Sequence, residues 1–463
     1  MEDVHGIVVK QREFFNSKVT FDLNYRLNAL KTLKRMLIEN ESKIEEALVK
    51  DLNKSPFEGY LTDIGPCIVE INETIKGLKK WAKPETHYSG LMCFPSVKTK
   101  VYKIPYGVTL IISPFNFPIL LSIGVLCASI SAGNTVILKT SSKSKYSSEV
   151  LKELINKHFK EEYICVINGG HDVADKLLAE RFDKIFYTGS PSVGKHVLEM
   201  ASHNLTPVAL ELGGEQGNFA IVRKDADLVD AANKIAFIKI LNAGQICINI
   251  NQVAVAKEIS KLFINELIKA INKQIGYALN SDEYPKLINE QAFIKCVDEV
   301  NKYKDKIIYG GKGNRDTLKF EPTIIYPCTL DDEITNHELF NPLLPIIEFE
   351  DDKIDDLINS IENREHPLAL YLFTKDYKWA KKVMATSQYG SGCINETCIQ
   401  LMVKGVPFNG VGHSGMGAYH GEWGFREFSH PSTVLIGHNK FNLNLRLHPY
   451  GDKKKKIIKV FEK

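Results

Sequence analysis

A thiol that attacks a carbonyl needs a group to manage protons and donors to hold the oxyanion it creates. Four segments of this chain hold residues of those types. Asn242-Ala243-Gly244-Gln245-Ile246-Cys247 sets a cysteine directly after a glycine-containing bend. Taken alone, such a thiol also reads as a small buried hydrophobe. Leu210-Glu211-Leu212-Gly213-Gly214 places one carboxylate in an apolar run closed by two glycines. Apolar surroundings would raise the pKa of Glu211, as suits a general base, although a strand-edge glutamate facing solvent fits the same letters. Pro114-Phe115-Asn116-Phe117-Pro118 holds the Asn116 amide between two prolines, a pattern that also serves a plain turn. Tyr187-Thr188-Gly189-Ser190-Pro191-Ser192-Val193-Gly194 opens a helix with glycines. Free backbone N–H groups there favour a phosphate, and the same residues fit an ordinary capped helix start. The GxGxxG dinucleotide fingerprint is absent.

These groups act together only if the intervening elements converge. Leu27, Leu30, Leu33, Leu37, Ile44 and Leu48 recur at helical spacing, so residues 22–50 read as a helix. A second helix spans 59–82 and stops before Pro84. Strands then alternate with helices. Apolar runs at 108–112, 135–138, 164–167 and 184–187 are strands, and helices follow at 119–132, 146–158 and from 192. The strands are apolar throughout, as expected when helices cover both faces. The fold class is therefore α/β, with a doubly wound parallel sheet that binds dinucleotides at the carboxyl ends of its strands. A second α/β region starts near Pro207 and runs to about residue 400.

Bulk properties exclude other classes. The 463 residues fit two or three domains, and 44% hydrophobic with 25% charged residues is an ordinary globular balance. A net charge of +3 gives no general nucleic-acid footprint. The longest apolar stretch, Ile119 to Ile130, carries Ser122 and Ser129 and is too short to span a membrane. Met1-Glu2-Asp3 does not begin a secretory signal. The nine cysteines are scattered without a CxxC pair, which fits free cytoplasmic thiols and no metal site. The basic tail from Lys453 to Lys463 reads as a solvated terminus with, at most, a weak attraction to an anionic surface.

In this order, the four segments resemble the aldehyde dehydrogenase superfamily, and the likeness runs from about residue 20 to 450. It is greatest to the short, class 3-like members acting on fatty and aromatic aldehydes, which His366-Pro367-Leu368-Ala369-Leu370-Tyr371 and the glycine-rich segment from Gly410 to Gly421 also resemble. The resemblance implies that Cys247 attacks the aldehyde to give a thiohemiacetal and then a thioester, which water hydrolyses. It makes Asn116 and the Cys247 backbone N–H the oxyanion donors and Glu211 the base that activates the water. NAD or NADP is the implied cofactor: Glu338 would hold the nicotinamide ribose, Phe340 would pack near the ring, and Lys139 would meet the adenosine ribose. Gly189, Ser190 and Gly194 would form the pyrophosphate turn. Implied domains are 1–91 with 105–208 for the cofactor and 209–400 for catalysis. Segments 92–104 and 432–447 form a small β oligomerisation arm. The implied protein is a cytoplasmic homodimer that takes a medium- or long-chain or aromatic aldehyde, without nucleic-acid partners or an integral membrane segment.

Some letters depart from the family pattern. Lys139-Thr140-Ser141-Ser142 lacks the carboxylate expected at Ser142, which opens the site to NADP as well as NAD. Glu215-Gln216-Gly217, Asn341 and Asn409 are also unusual. Two alternatives are a CoA-acylating dehydrogenase, which would not need Glu211, and an inactive binding relative, which would have lost Cys247, Glu211 or Asn116. Phe115, Phe117, Tyr419, His420 and Trp423 line an apolar substrate tunnel in one reading and belong to the core in another.

Overall fold

The structure, a computed structural model, describes residues 3–90, 97–438, 445 and 447–461. Two mixed sheets organise it. One runs in the order Gly415–Met416, Val208–Leu212, Lys184–Gly189, Val108–Ile112, Thr135–Lys139, Ile164–Ile167. All pairs in it are parallel except the first. Successive strands step outward from Val108–Ile112 on one side, and the chain then returns to place Lys184–Gly189 on the other. This reversal opens a crevice at the carboxyl ends of those two strands, where doubly wound sheets take their ligands. Val108–Ile112 and Thr135–Lys139 are buried along their whole length, because helices cover both faces. Leu120–Ala132 is one of these covering helices and is itself almost wholly buried.

The second sheet runs Ile307–Tyr309, Thr323–Cys328, Leu343–Phe349, Ile250–Ala256, Asn218–Val222, Ala369–Phe373, Ser391–Ile394. It is also parallel apart from its first pair. A third, antiparallel sheet joins Glu85–His87, Val97–Pro105 and Ser429–Gly437. The last two strands pair in unbroken register from Ser429↔Pro105 to Gly437↔Val97. Val434, Leu435 and Ile436 of its edge strand are exposed. Residues 92–96, 439–444 and 446 of the expected arm lie outside the described residues.

Two expectations need correction. The long helix at 22–50 is two helices, Leu23–Glu39 and Glu41–Leu52. They break at Asn40, whose side-chain amide donates to the Met36 carbonyl at 2.8 Å. The helix at 59–82 is also broken: Pro56–Gly59 leads into a widened turn, Tyr60–Ile64, before Gly65–Trp81. Pro66 has no N–H to return to Thr62, and the Gly65 N–H reaches back five residues to the Tyr60 carbonyl instead. The basic tail carries a helix, Asp452–Phe461, and most of residues 452–460 are exposed, as expected of a solvated terminus.

Candidate active site

Cys247 follows a bend no ordinary helix could make. Asn242, Ala243 and Gly244 take φ of 48°, 49° and 72°, three left-handed residues in a row. Side chains hold this strained segment. The Asn242 amide donates to the Gln245 carbonyl at 2.9 Å, and Gln245 donates back to the Asn242 carbonyl at 3.0 Å. Asn249 donates to the Gly244 carbonyl at 2.7 Å, and Asn218 donates to the Cys247 carbonyl at 2.8 Å. A Cβ at Gly244 would overlap the Asn341 carbonyl, so the close approach as well as the φ requires glycine. The Lys239 ammonium fixes the other side of that carbonyl at 3.1 Å. Burial lowers the Lys239 pKa to about 7.

Asn116 sits at the carboxyl end of Val108–Ile112 and is buried. Its amide donates one hydrogen to the Gln245 carbonyl at 3.1 Å, which ties it to the nucleophile bend and leaves the second hydrogen free. Its own carbonyl accepts from the Lys54 ammonium at 3.0 Å and the Asn242 amide at 2.9 Å. Lys54 in turn pairs with Asp63 at 2.8 Å, and neither side chain has any solvent exposure. Asp63 accepts from the Ile119 and Leu120 N–H groups at 3.1 and 3.3 Å. The ion pair thus clamps both ends of the Asn116–Leu120 segment. Glu58 completes the network by accepting from the Asn242 N–H at 2.8 Å, and burial raises its pKa to about 7.

Glu211 lies on the Val208–Leu212 strand, opposite Gly415 of the short edge strand. It is buried, which settles the choice between buried and solvent-facing glutamate. Neither carboxylate oxygen has a hydrogen-bond partner. Burial, and then the nearby Glu427 charge, push its pKa well above the carboxylate range. The Cys247 thiol is pushed up to about 12 by burial, with Glu338 and Glu211 adding to the rise. Burial raises Glu338 to about 8.

Two cavities meet at this thiol. One, of about 550 Å³, opens at the carboxyl ends of the first sheet. Lys139, Ser142, Gly189, Ser190, Glu338 and Phe340 line it, with Asn116, Glu211 and Cys247 at its inner end. Gly194 packs behind the turn, where a Cβ would come within 3.0 Å of Leu212. Phe340, at φ 50°, sets its ring edge-on to Phe115 with centroids 5.8 Å apart. A Cβ at Gly213 would overlap the Glu338 carboxylate, so that glycine lets the carboxylate reach the floor of the cavity. Lys139 and Lys143 share the far end with Ser142, and burial lowers both lysine pKa values. The second cavity, of about 570 Å³, is mostly apolar and lies on the other side of Cys247. Phe117, Leu121, Phe408 and Tyr419 are among its lining residues, with His420 and Glu70 as polar points.

The expected residues therefore converge, with two exceptions among the aromatics. Phe117, Tyr419 and His420 line the apolar cavity, whereas Phe115 lines the first cavity. Trp423 lines neither and is 45% exposed, because it starts a surface helix, Gly421–Glu427. Sequence reasoning gave no role to Asn242 within the cysteine segment and missed Lys54, Asp63 and Asn218. They stand as isolated polar residues whose roles appear only once distant segments meet. Glu215, one of the unusual letters, pairs at the surface with Lys195 and His413.

A doubly wound sheet whose ligand crevice ends at a cysteine beside a buried carboxylate describes a dinucleotide-dependent, thiol-based oxidoreductase. The sequence profile of the Aldehyde dehydrogenase family matches residues 1–434. The chain is 37% identical to the 4,4'-diaponeurosporen-aldehyde dehydrogenase of Staphylococcus aureus, covering 98% of this chain and 97% of that one. It is 35% identical to the mouse (Mus musculus) aldehyde dehydrogenase named "dimeric NADP-preferring", over 94% and 95% of the two chains. A solved structure described as the substrate-bound state of Staphylococcus aureus AldH superposes with a TM-score of 0.96 at 36% identity, covering both chains fully. This chain belongs to the aldehyde dehydrogenase family. It is an enzyme that oxidises an aldehyde with NAD or NADP. The first cavity fits such a cofactor: its volume lies in the range of ligand sites, and it offers lysines at one end and a buried carboxylate at the other. Among the described residues no helix is long and apolar enough to cross a membrane.

Proposed function

We propose that Cys247 is the nucleophile, Asn116 the oxyanion donor and Glu211 the general base of this oxidation. The observation that carries the reading is that the cofactor-sized cavity and the apolar cavity share Cys247. The Cys247 thiol gives up its proton to solvent water, its sulfur bonds to the carbonyl carbon, and the C=O electron pair moves to oxygen. The free hydrogen of the Asn116 amide and the Cys247 N–H hold that oxygen. Bound NAD(P) supplies the acceptor for the hydride that leaves carbon, and a thioester remains on Cys247. Water then adds to the thioester as Glu211 takes its proton, and the carboxylate product departs with return of the thiol. The two unpartnered oxygens of Glu211 suit this task, since no protein group competes with the water. A carboxylate whose pKa burial has raised accepts a proton more readily than an exposed one.

Glu338, Phe340, Lys139, Gly189, Ser190 and Gly194 are proposed to hold the cofactor. Ser142, beside Lys139 and Lys143, leaves room for a 2′-phosphate, so NADP serves as well as NAD. The mouse relative's name supports that reading. The substrate is a medium- or long-chain or aromatic aldehyde, as the apolar lining of the second cavity supports. We read residues 1–91 and 105–208 as the cofactor domain, 209–400 as the catalytic domain, and 92–104 with 432–447 as the arm of a cytoplasmic homodimer. The exposed apolar edge at Val434–Ile436 supports pairing with a second copy. The test is a panel of straight-chain and aromatic aldehydes assayed by cofactor reduction. kcat/KM should rise with apolar length, and a preference for short polar aldehydes would refute the substrate reading. Cys247→Ala should abolish turnover of every member.

A further inference from the structure

The Asp452–Phe461 helix takes no part in either cavity. Lys453, Lys454, Lys455, Lys456 and Lys459 stand against the single acid Asp452. The helix therefore carries a formal +4, where the whole chain carries +3. Positive charge is thus concentrated here, on a body that is otherwise nearly neutral. The helix is also apolar where a solvated tail need not be. Ile457 is 43% exposed and Val460 is 70% exposed. They stand three residues apart, on one side of the helix. Lys453 and Lys456, each four residues before one of that pair, share this side, and Lys455 and Lys459 stand beside it at a spacing of four. Leu447 and Tyr450, just before the helix, are exposed as well. Lys454 donates to the Leu447 carbonyl at 2.7 Å, which fastens this preceding turn to the helix.

We propose that the Asp452–Phe461 helix seats this enzyme on an anionic lipid surface, lysines towards the headgroups and Ile457 and Val460 in the acyl boundary. A short helix whose exposed side sets apolar residues among lysines can lie in the plane of such an interface, because the long lysine stems reach up to the headgroups while the apolar side chains enter the acyl boundary. Nucleic acid would need the lysines and have no use for the exposed Ile457 and Val460. The anionic leaflet that faces the cytoplasm attracts each nearby lysine, and the attraction fades within a screening length. The inference does not depend on the substrate or on Cys247, because seating is read without aldehyde or cofactor.

The test is sedimentation of the full chain with vesicles of phosphatidylcholine alone or with about one third phosphatidylglycerol. Binding is expected only to the anionic vesicles, and should weaken as salt rises to about 1 M. Lys455→Glu/Lys456→Glu/Lys459→Glu should lower partitioning roughly tenfold or more. Ile457→Asp/Val460→Asp should lower it by a similar factor with every lysine in place, again roughly tenfold. Both variants should oxidise a small water-soluble aldehyde at the wild-type rate, which shows that they are folded. Failure of the wild-type protein to bind anionic vesicles would overturn the proposal. So would binding that ignores the Ile457 and Val460 substitutions, or binding to duplex RNA or polyglutamate in preference to the vesicles.

Discussion

Lys54→Met tests whether the buried ion pair positions Asn116. Lys54 makes three polar contacts: Asp63 at 2.8 Å, the Asn116 carbonyl at 3.0 Å and the Thr62 hydroxyl at 3.4 Å. Its ammonium also lies 4.0 Å from the Phe117 ring centroid. Methionine fills most of the same volume but leaves Asp63 buried without a cation, held only by the Ile119 and Leu120 N–H groups and the Thr62 hydroxyl at 3.2 Å. Removing one member of a fully buried pair costs about 3–5 kcal/mol, much of a typical folding free energy. Asp63→Asn in the same chain removes the stranded charge, so the double variant should recover a large part of the loss. Thermal unfolding of the wild type, both single variants and the double variant measures this coupling. Stability alone would not show positioning, so single-turnover acylation is followed as well. Loss of one oxyanion donor costs roughly 10²–10³ in rate, which bounds the effect of a displaced Asn116. Lys54→Met should slow acylation within that bound in the wild type, and add little once Asn116→Ala is present. An unchanged acylation rate in folded Lys54→Met protein, or full additivity with Asn116→Ala, would refute the positioning argument.

Glu211→Gln should leave a burst of reduced cofactor followed by slow turnover, because only deacylation needs the base. In the wild type, deacylation requires ionised Glu211, and burial raises that pKa. Its rate should therefore climb with pH through a midpoint above the usual carboxylate range, and this limb should vanish in Glu211→Gln. A deacylation profile already flat at acidic pH would contradict the assignment. For the cofactor, comparable kcat/KM with NAD and NADP is expected, and Ser142→Glu should lose activity selectively with NADP through charge repulsion. An NAD preference beyond about 100-fold, roughly 2.7 kcal/mol, in the wild type would show that another residue decides the choice.

The strand–helix alternation was legible because buried parallel strands are apolar along their length, as at Val108–Ile112 and Thr135–Lys139. Around Glu211 the letters fitted both a buried and a solvent-facing carboxylate, and only the assembled sheet shows that it is buried. Breaks inside helices were not legible. Asn40 and Pro66 disturb backbone hydrogen bonding without interrupting the apolar spacing on which the helices were read. The support of the site escaped for a different reason. Lys54 and Asn116 are far apart in sequence, as are Asn218 and Cys247, and their hydrogen bonds exist only after the sheets assemble. No local pattern distinguishes such a residue from a surface one. Phe115 and Trp423 were grouped with Phe117 and Tyr419 by residue type, yet the fold sends them elsewhere. Aromatic character gives the size of a side chain, and the turn it sits on gives its direction.

The most direct measurement traps the acyl-enzyme. Glu211→Gln protein, mixed with a straight-chain aldehyde and NAD(P) and quenched in acid during the burst, is digested and its acylated peptide mapped by mass spectrometry. The acyl group should be on Cys247, in stoichiometric yield with the burst, and no such adduct should form in Cys247→Ala. Acylation of another thiol, for example Cys165 in the buried Ile164–Ile167 strand, or turnover persisting in Cys247→Ala, would contradict the account.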